Sequence, residues 1–269
     1  MRRKEKSIAW LAMVLLLLTA GCGEKQESVS LELDEGGSDL SYVQSKGTLV
    51  AGITDFAPMD YRDGDAWTGF DAELAEAFAE RIGVTLELKE IDWDDKTGLL
   101  EQGEIDCIWN GMTMTTELQE TISCSCPYLS NAQVVVMHGE NLGQYQSIEE
   151  CQHLLFAVEA GSTGEALLKE TRYRYTTWAT QKEALQGVLD KKADAAVIDI
   201  IMAAYNTSAG QAYDQLGFSI AVNDEKICVG FRKGSDLTKE ADAFIRAAYE
   251  DGSIHALAEK YGIGNAVLE

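Results

Sequence analysis

The chain has 269 residues, with 45 Asp and Glu against 22 Lys and Arg and a formal charge of −23. Nucleic acid and an anionic bilayer would both be repelled by such a surface, so neither is expected as a partner, and a zwitterionic or cationic small molecule fits better. Most of these carboxylates are expected to form a solvated surface, leaving only a few for a ligand.

Arg2, Arg3, Lys4 and Lys6 open the chain, followed by an apolar run from Ile8 to Leu18 and by Leu18-Thr19-Ala20-Gly21-Cys22. A basic zone, an apolar zone and small residues in that order predict a signal peptide over 1–21; the apolar run is shorter than the ~20 residues a membrane-spanning helix needs. The Ala-Gly-Cys ending resembles a bacterial lipobox, which implies cleavage after residue 21 and a lipid on the Cys22 sulfur. Loss of 1–21 removes four cations and one anion and leaves the remainder at −26. Residues 22–46 carry Glu24, Glu27, Glu32, Asp34, Glu35 and Asp39 with Gly36-Gly37, and read as an acidic flexible tether. No further apolar run of that kind follows before Glu269, so no permease or receptor-kinase segment is expected in this chain.

The body from Gly47 onward is long enough for two small lobes or one large domain. Thr48 to Ile53 reads as a strand, and Phe70, Leu74, Phe78 and Ile82 recur every four residues until Gly83, the pattern of a helix with one buried face. Val84, Leu86 and Leu88 alternate with Thr85, Glu87 and Lys89, predicting a half-buried strand. Ile105 to Trp109 is another strand. Ser147-x-x-Glu150, Ser162-x-x-Glu165 and Thr180-x-x-Glu183 are capping boxes that predict helix starts. Ala195 to Ile198 is a strand leading into Asp199. The chain ends in two helical faces, Leu237, Ala241, Phe244, Ile245 and Ala248, then Ile254, Leu257, Ala258 and Tyr261. Alternating strands and helices predict an α/β architecture with largely parallel sheets. Ala132 to Met137 and Lys226 to Phe231 are two apolar strands that interrupt this order.

Gly103 to Leu118 reads Gly-Glu-Ile-Asp-Cys-Ile-Trp-Asn-Gly-Met-Thr-Met-Thr-Thr-Glu-Leu. It resembles the signature of the type II periplasmic binding proteins of family 3, which deliver amino acids to ABC transporters and in which a Gly-Met-Thr-like turn precedes Thr-x-Glu-Arg. Four further patches in the same order extend the resemblance over nearly the whole body. They are Gly47-Thr48-Leu49-Val50 with Phe56-Ala57-Pro58, then Gly69-Phe70-Asp71, then Ala157 to Thr163, then Asp194 to Asp199. The resemblance implies a two-lobed fold of mixed sheets flanked by helices, with a two-strand hinge formed by the two interrupting strands. Lobe 1 would be 47–137 plus 228–269, and lobe 2 would be 138–227. It implies a substrate-binding protein of an ABC importer, a monomer held outside the cytoplasmic membrane through Cys22, partnered by a permease and a small-molecule solute. No cofactor is implied.

The same resemblance places the ligand. Phe56 and Phe70 would be aromatic walls, although Phe70 also fits plain core packing; Tyr61 could join them. Gly111 would let the backbone approach the ligand ammonium, and Thr113 would offer hydroxyl and amide to a carboxylate. Strand alternation sends only one of Trp109 and Asn110 into the cleft, and Asn110 could add its amide there. Ser162 and Thr163 open a helix whose amides suit an anion, Ser162 serving also as cap. Asp199 would hold the ammonium or else cap the following helix, with Glu159 a further acid nearby. Leu118 stands where the carboxylate-clamping Arg is expected. The loss of a charge-assisted bidentate contact is worth about 1.5–3 kcal/mol, so an amino acid or related small polar solute is bound weakly, or its carboxylate rests on the amides of Thr113, Ser162 and Thr163, or the ligand is a cationic amine without a carboxylate there.

Cys107, Cys124, Cys126, Cys151 and Cys228 are an odd set, so at least one stays unpaired, and with three scattered histidines no metal motif emerges. Enzymes of the dehydratase and transglycosylase kind share the implied fold, so the fold alone does not exclude catalysis. The sequence shows no nucleophile motif, and Glu159 with Asp199 is the one carboxylate couple an enzyme could use.

Overall fold

The structure, a computed structural model, describes residues 37–268. The expected signal peptide, Cys22 and the tether as far as residue 36 lie outside the described residues. The last part of the expected tether is folded: Asp39–Lys46 form helix α1. Ser38 caps it by accepting from Ser41 N, and Gly47 closes it in the left-handed conformation. Arg232 Nε reaches Asp39 Oδ2 at 3.1 Å, and Lys46 Nζ reaches Asp106 Oδ2 at 2.5 Å. Removal of one partner from a buried pair such as Asp39 and Arg232 costs about 3–5 kcal/mol, which fixes the helix to the body. A short polar sequence gives no local hint of this long-range anchor.

The first lobe is built on β1 (Thr48–Ile53). A hairpin of β2 (Tyr61–Asp63) and β3 (Ala66–Thr68) leads into α2 (Phe70–Ile82). Phe70, Leu74, Phe78 and Ile82 form its buried face, with the Phe78 ring 5.5 Å from that of Trp109 between centroids. β4 (Thr85–Glu90) pairs parallel with β1, its Leu86 and Leu88 half-buried against the core. Then come α3 (Lys96–Glu101), β5 (Cys107–Ile108), α4 (Thr116–Thr121) and β6 (Ser123–Cys124). The strand expected over 105–109 is thus two residues long, parallel to β1.

β7 (Leu129–Asn131) leaves this lobe, and β8 (Gln133–His138) is already part of a second sheet, antiparallel to its neighbours. This corrects the expected boundary after residue 137 and the expected hinge role of 132–137. The second lobe continues with β9 (Leu155–Glu159), α5 (Thr163–Thr171), β10 (Arg174–Trp178) and α6 (Gln181–Leu189). β11 (Ala195–Asp199), α7 (Ile200–Asn206) and β12 (Leu216–Ala221) complete it, in the order β10-β9-β11-β8-β12. Two of the three capping boxes act as expected: Glu165 N donates to Ser162 Oγ and Glu183 N to Thr180 Oγ1, each at 3.1 Å. Ser147 precedes only a short 3-10 turn and makes no side-chain cap.

The single strand expected over 226–231 is split. β13 (Glu225–Ile227) pairs antiparallel with β7, and β14 (Gly230–Phe231) enters the first sheet between β5 and β6. The ribbon of β7 and β13 is therefore where both chain crossings between the sheets are joined. α8 (Leu237–Glu250) and α9 (Ser253–Lys260) return to pack on the first lobe, burying Leu237, Ala241, Phe244, Ile245, Ala248, Ile254 and Ala258. Among the described residues no helix is long and apolar enough to cross a membrane, and Cys107, Cys124, Cys126, Cys151 and Cys228 are free thiols.

Candidate functional site

Between the lobes lies a cleft enclosing about 480 Å³ of empty space, part of it open to solvent. The carboxyl ends of β1, β5, β9 and β11, with the turns after the first three, face it, which is where ligands bind on open α/β sheets. Phe56, Asn110, Gly111, Thr113, Leu118, Ser162, Thr163 and Asp199 line it together. Phe70 does not: its side chain is fully buried in the first lobe and stacks on Tyr128 at 6.2 Å. Its place on the same face as Leu74 and Phe78 is the reason. Tyr61 also lies outside the lining and faces Tyr205 and Tyr261.

Asn110 lines the cleft while Trp109 packs away from it against Phe78. The amide of Asn110 is already committed, however. Its Nδ2 donates to Asp60 Oδ2 at 2.7 Å and to Thr54 O at 3.2 Å, and its Oδ1 accepts from Thr54 N and Oγ1. It shapes the wall rather than offering spare donors. Gly111 N donates to Asp71 Oδ2 at 2.6 Å, and Tyr128 OH donates to Asp71 Oδ1 at 2.8 Å. Burial pushes Asp71 up to about 7, against the pull of those bonds, and burial with the neighbouring Asp71 pushes Asp60 well up. Gly111 has φ +56, and a Cβ there would stand 2.3 Å from Phe56 Cε1. Only glycine lets the Phe56 ring lie against this backbone.

On the second lobe Asp199 ends β11 and is 6% exposed. It makes no side-chain cap to α7. Its carboxylate accepts from the side-chain amides of Asn131, Gln133 and Gln181, the Gln133 Nε2 contact being 3.1 Å. Burial, and next the nearby Glu225, raise it to about 7 despite those three donors. Glu225 Oε2 takes bonds from Thr113 Oγ1, Asn131 Nδ2 and Gln133 Nε2 at 2.9–3.0 Å. The expected free hydroxyl of Thr113 is thereby spent. Thr163 Oγ1 lies 2.9 Å from Gln133 Nε2, whose two N–H groups are shared among Thr163, Asp199 and Glu225. Glu159 is raised to about 8 by burial and then by Asp199, with Lys96 pulling the other way.

Several of these residues carry no mark in the sequence. Lys96 and Trp93 line the cleft, the Lys96 ammonium 4.7 Å from the Trp93 ring centroid. Burial lowers the Lys96 pKa, with Glu159 the first group opposing. Gln181 is a helix residue, and Asn131 and Glu225 face each other in the β7 and β13 register. The available signals were indirect: Glu225 opens a strand and Gln181 follows the Thr180 cap, and neither position by itself points to a cleft.

The two lobes touch around the cleft. Lys182 Nζ meets Asp55 Oδ2 at 2.6 Å, Lys96 Nζ donates to Gly161 O at 2.9 Å, and Asn206 Nδ2 donates to Ala57 O at 3.3 Å. Lys182 is half exposed, so its pair contributes at most about 1 kcal/mol.

A family model described as bacterial extracellular solute-binding proteins, family 3, matches residues 49–264. The arginine-binding extracellular protein ArtP of Bacillus subtilis is 28% identical over 260 residues, covering 93% of this chain and 98% of its own. The crystal structure of an ABC uptake transporter substrate-binding protein from Streptococcus pneumoniae with bound histidine superposes with a TM-score of 0.80 at 27% identity, over 87% of this chain and 99% of that one. An ancestral amino-acid-binding protein described as a precursor of cyclohexadienyl dehydratase superposes with a TM-score of 0.76 at 29% identity, over 83% of this chain and 99% of that one.

Proposed function

The chain belongs to the bacterial extracellular solute-binding proteins of family 3, and from that membership we propose that it is the substrate-binding protein of an ABC importer for an amino acid. Relatives named for arginine, cystine and histidine support the solute class. The observation that carries the reading is Asp199, a buried acid in the cleft whose partners are neutral amides. A buried carboxylate without a cation is costly, and the ammonium of an amino acid supplies one. Closure of the lobes about the β7 and β13 ribbon would exclude water and strengthen that contact. The closed form is then what a permease recognises.

Isothermal titration with a panel of amino acids and their decarboxylated amines tests the solute. At least one amino acid should bind, and at a concentration of about 100 Kd it should stabilise the fold by about 2.7 kcal/mol in a thermal melt. Binding of an amine alone would replace the amino acid by a cationic amine; no binding at all would overturn the assignment.

Cys22 is the proposed site of the lipid that holds the receptor outside the membrane. Cys22→Ala should move the protein from the membrane fraction to the medium in the producing cells. Retention of the variant at the membrane would remove the anchor from this reading.

A further inference from the structure

The cleft has one cation among its lining residues, and it is not where the family's motif would put it. The lining acids are Asp55, Glu159 and Asp199; the lining base is Lys96, at the start of α3. Asp55 is answered by Lys182 outside the lining, Asp199 by three amides, and Glu159 by the amides of Gln181, burial raising Glu159 to about 8 against the pull of Lys96. Lys96 is 7% exposed, and its ammonium donates to two neutral carbonyls, Trp93 O at 3.0 Å and Gly161 O at 2.9 Å. An ammonium has three donors, so one N–H remains, and among the described residues no carboxylate stands within ion-pair distance of it, Glu159 acting from farther away.

The second carbonyl fixes where that charge sits. Gly161 immediately precedes Ser162, the cap of the nine-residue helix α5, so the ammonium adjoins the positive end of that helix. The first-turn amides of Thr163 and Gly164 have no acceptor within the helix. Thr163, Lys96 and Leu118 all belong to the lining of the cleft. An ammonium and a helix N-terminus brought to one place by the Lys96 bond to Gly161 O between lobes are what a carboxylate needs, and the apolar Leu118 side chain provides neither charge nor donor.

We propose that Lys96 is the carboxylate-binding cation of this cleft, supplied from the first residue of α3 and completed by the α5 amides, in place of the arginine absent at Leu118. The inference rests on the reading of the cleft as an amino-acid site. Because a lysine is a point charge rather than a planar fork, the seat holds the carboxylate without bidentate geometry. The Trp93 ring beneath the ammonium and the Gly161 carbonyl hold it in place. The seat is complete only when Gly161 and Lys96 meet, so the carboxylate is bound by the closed form.

Titration calorimetry on the chain from residue 22, with L-histidine against histamine and L-arginine against agmatine, tests this. The wild type should prefer the acid-bearing member of a pair by about tenfold or more, and Lys96→Met should lose that preference, the amino acid weakening by about tenfold to a hundredfold while the amine is unchanged. Lys96→Gln keeps donors for the two carbonyls without the charge and should behave likewise, which covers misfolding of the Met variant. Lys96→Met with Leu118→Arg should regain the preference. If amino acids bind and either Lys96 variant keeps the tenfold preference, Lys96 is not the seat, although the amino-acid reading stands. Equal binding of acid and amine by the wild type also overturns it, and no binding by any member of the amino-acid panel overturns both.

Discussion

Asp199→Asn is expected to weaken the amino acid by about a hundredfold, or about 2.7 kcal/mol, because it removes a buried lining carboxylate held by three neutral side-chain amides. The replacement keeps the volume and puts an NH2 group among the donors of Asn131, Gln133 and Gln181. The wild-type affinity should also depend on pH in a direction set by burial. Asp199 in the empty cleft holds its proton up to about pH 7, through burial first and Glu225 second, against the three amides that face it. A ligand ammonium favours the ionised form. Binding below pH 7 must therefore expel the proton, and affinity should fall about tenfold per pH unit there, levelling off above pH 7. Calorimetry in two buffers of different ionisation heat should find about one proton released at pH 6 and far less at pH 8. Equal affinity of wild type and Asp199→Asn at pH 8 would dismiss Asp199 as the ammonium site.

The same shifts give the unliganded protein the opposite trend. A carboxyl held at about 7 when folded, above its ordinary 3.8, contributes stability that is fully present at low pH and lost as pH rises between those values. Asp71 and Asp199 share this sign, and Glu159 extends it to about 8. The Tm of the empty protein should fall from pH 5 to pH 8, and Asp199→Asn should make the fall shallower.

Gly161→Ala is expected to hold the lobes apart. A Cβ at Gly161 would stand 2.7 Å from the Asp94 Cα, a backbone atom of the other lobe that has no rotamer in which to retreat. Overpacking of this kind costs about 1–3 kcal/mol, which should appear as about a tenfold to hundredfold loss of affinity. Small-angle scattering at saturating ligand should then show less compaction than in the wild type. Gly161 also has φ +68, so alanine strains the backbone as well. Gly210→Ala separates the two effects: Gly210 has φ +86 and open space around the site of a Cβ. It should lose stability without losing affinity. If Gly161→Ala binds and compacts like the wild type, the closing contact at Asp94 does not gate the ligand.

The parts of the site that could be read from the sequence are those set by local rules. Gly111 to Thr113 follows a strand, Ser162 opens a capped helix, and Asp199 ends an apolar run, and each lands in the cleft. Lys96 looks like any exposed helix lysine until α3 turns it toward Gly161, a contact between residues 65 apart. Glu225 and Asn131 matter because two strands pair, and pairing is invisible to periodicity. Phe70 shows the reverse: its spacing with Leu74 and Phe78 already spoke for the core, and the resemblance outweighed it. Residues 39–46 carry few apolar side chains, so a docked helix is not expected from them, yet Val43 is fully buried and the ion pairs of Asp39 with Arg232 and Lys46 with Asp106 tie the helix to the body.

The position of β14 orders the way the molecule can be assembled. Gly230–Phe231 lies between β5 and β6, so the sheet begun by residue 48 stays open until residue 231 is available. The second sheet has all its strands by Ala221 and draws them from one uninterrupted stretch. Its pairings span shorter sequence separations and require less loop closure. A chain that folds as it emerges from its N-terminus thus finishes the inserted lobe first and the lobe that contains its own beginning last.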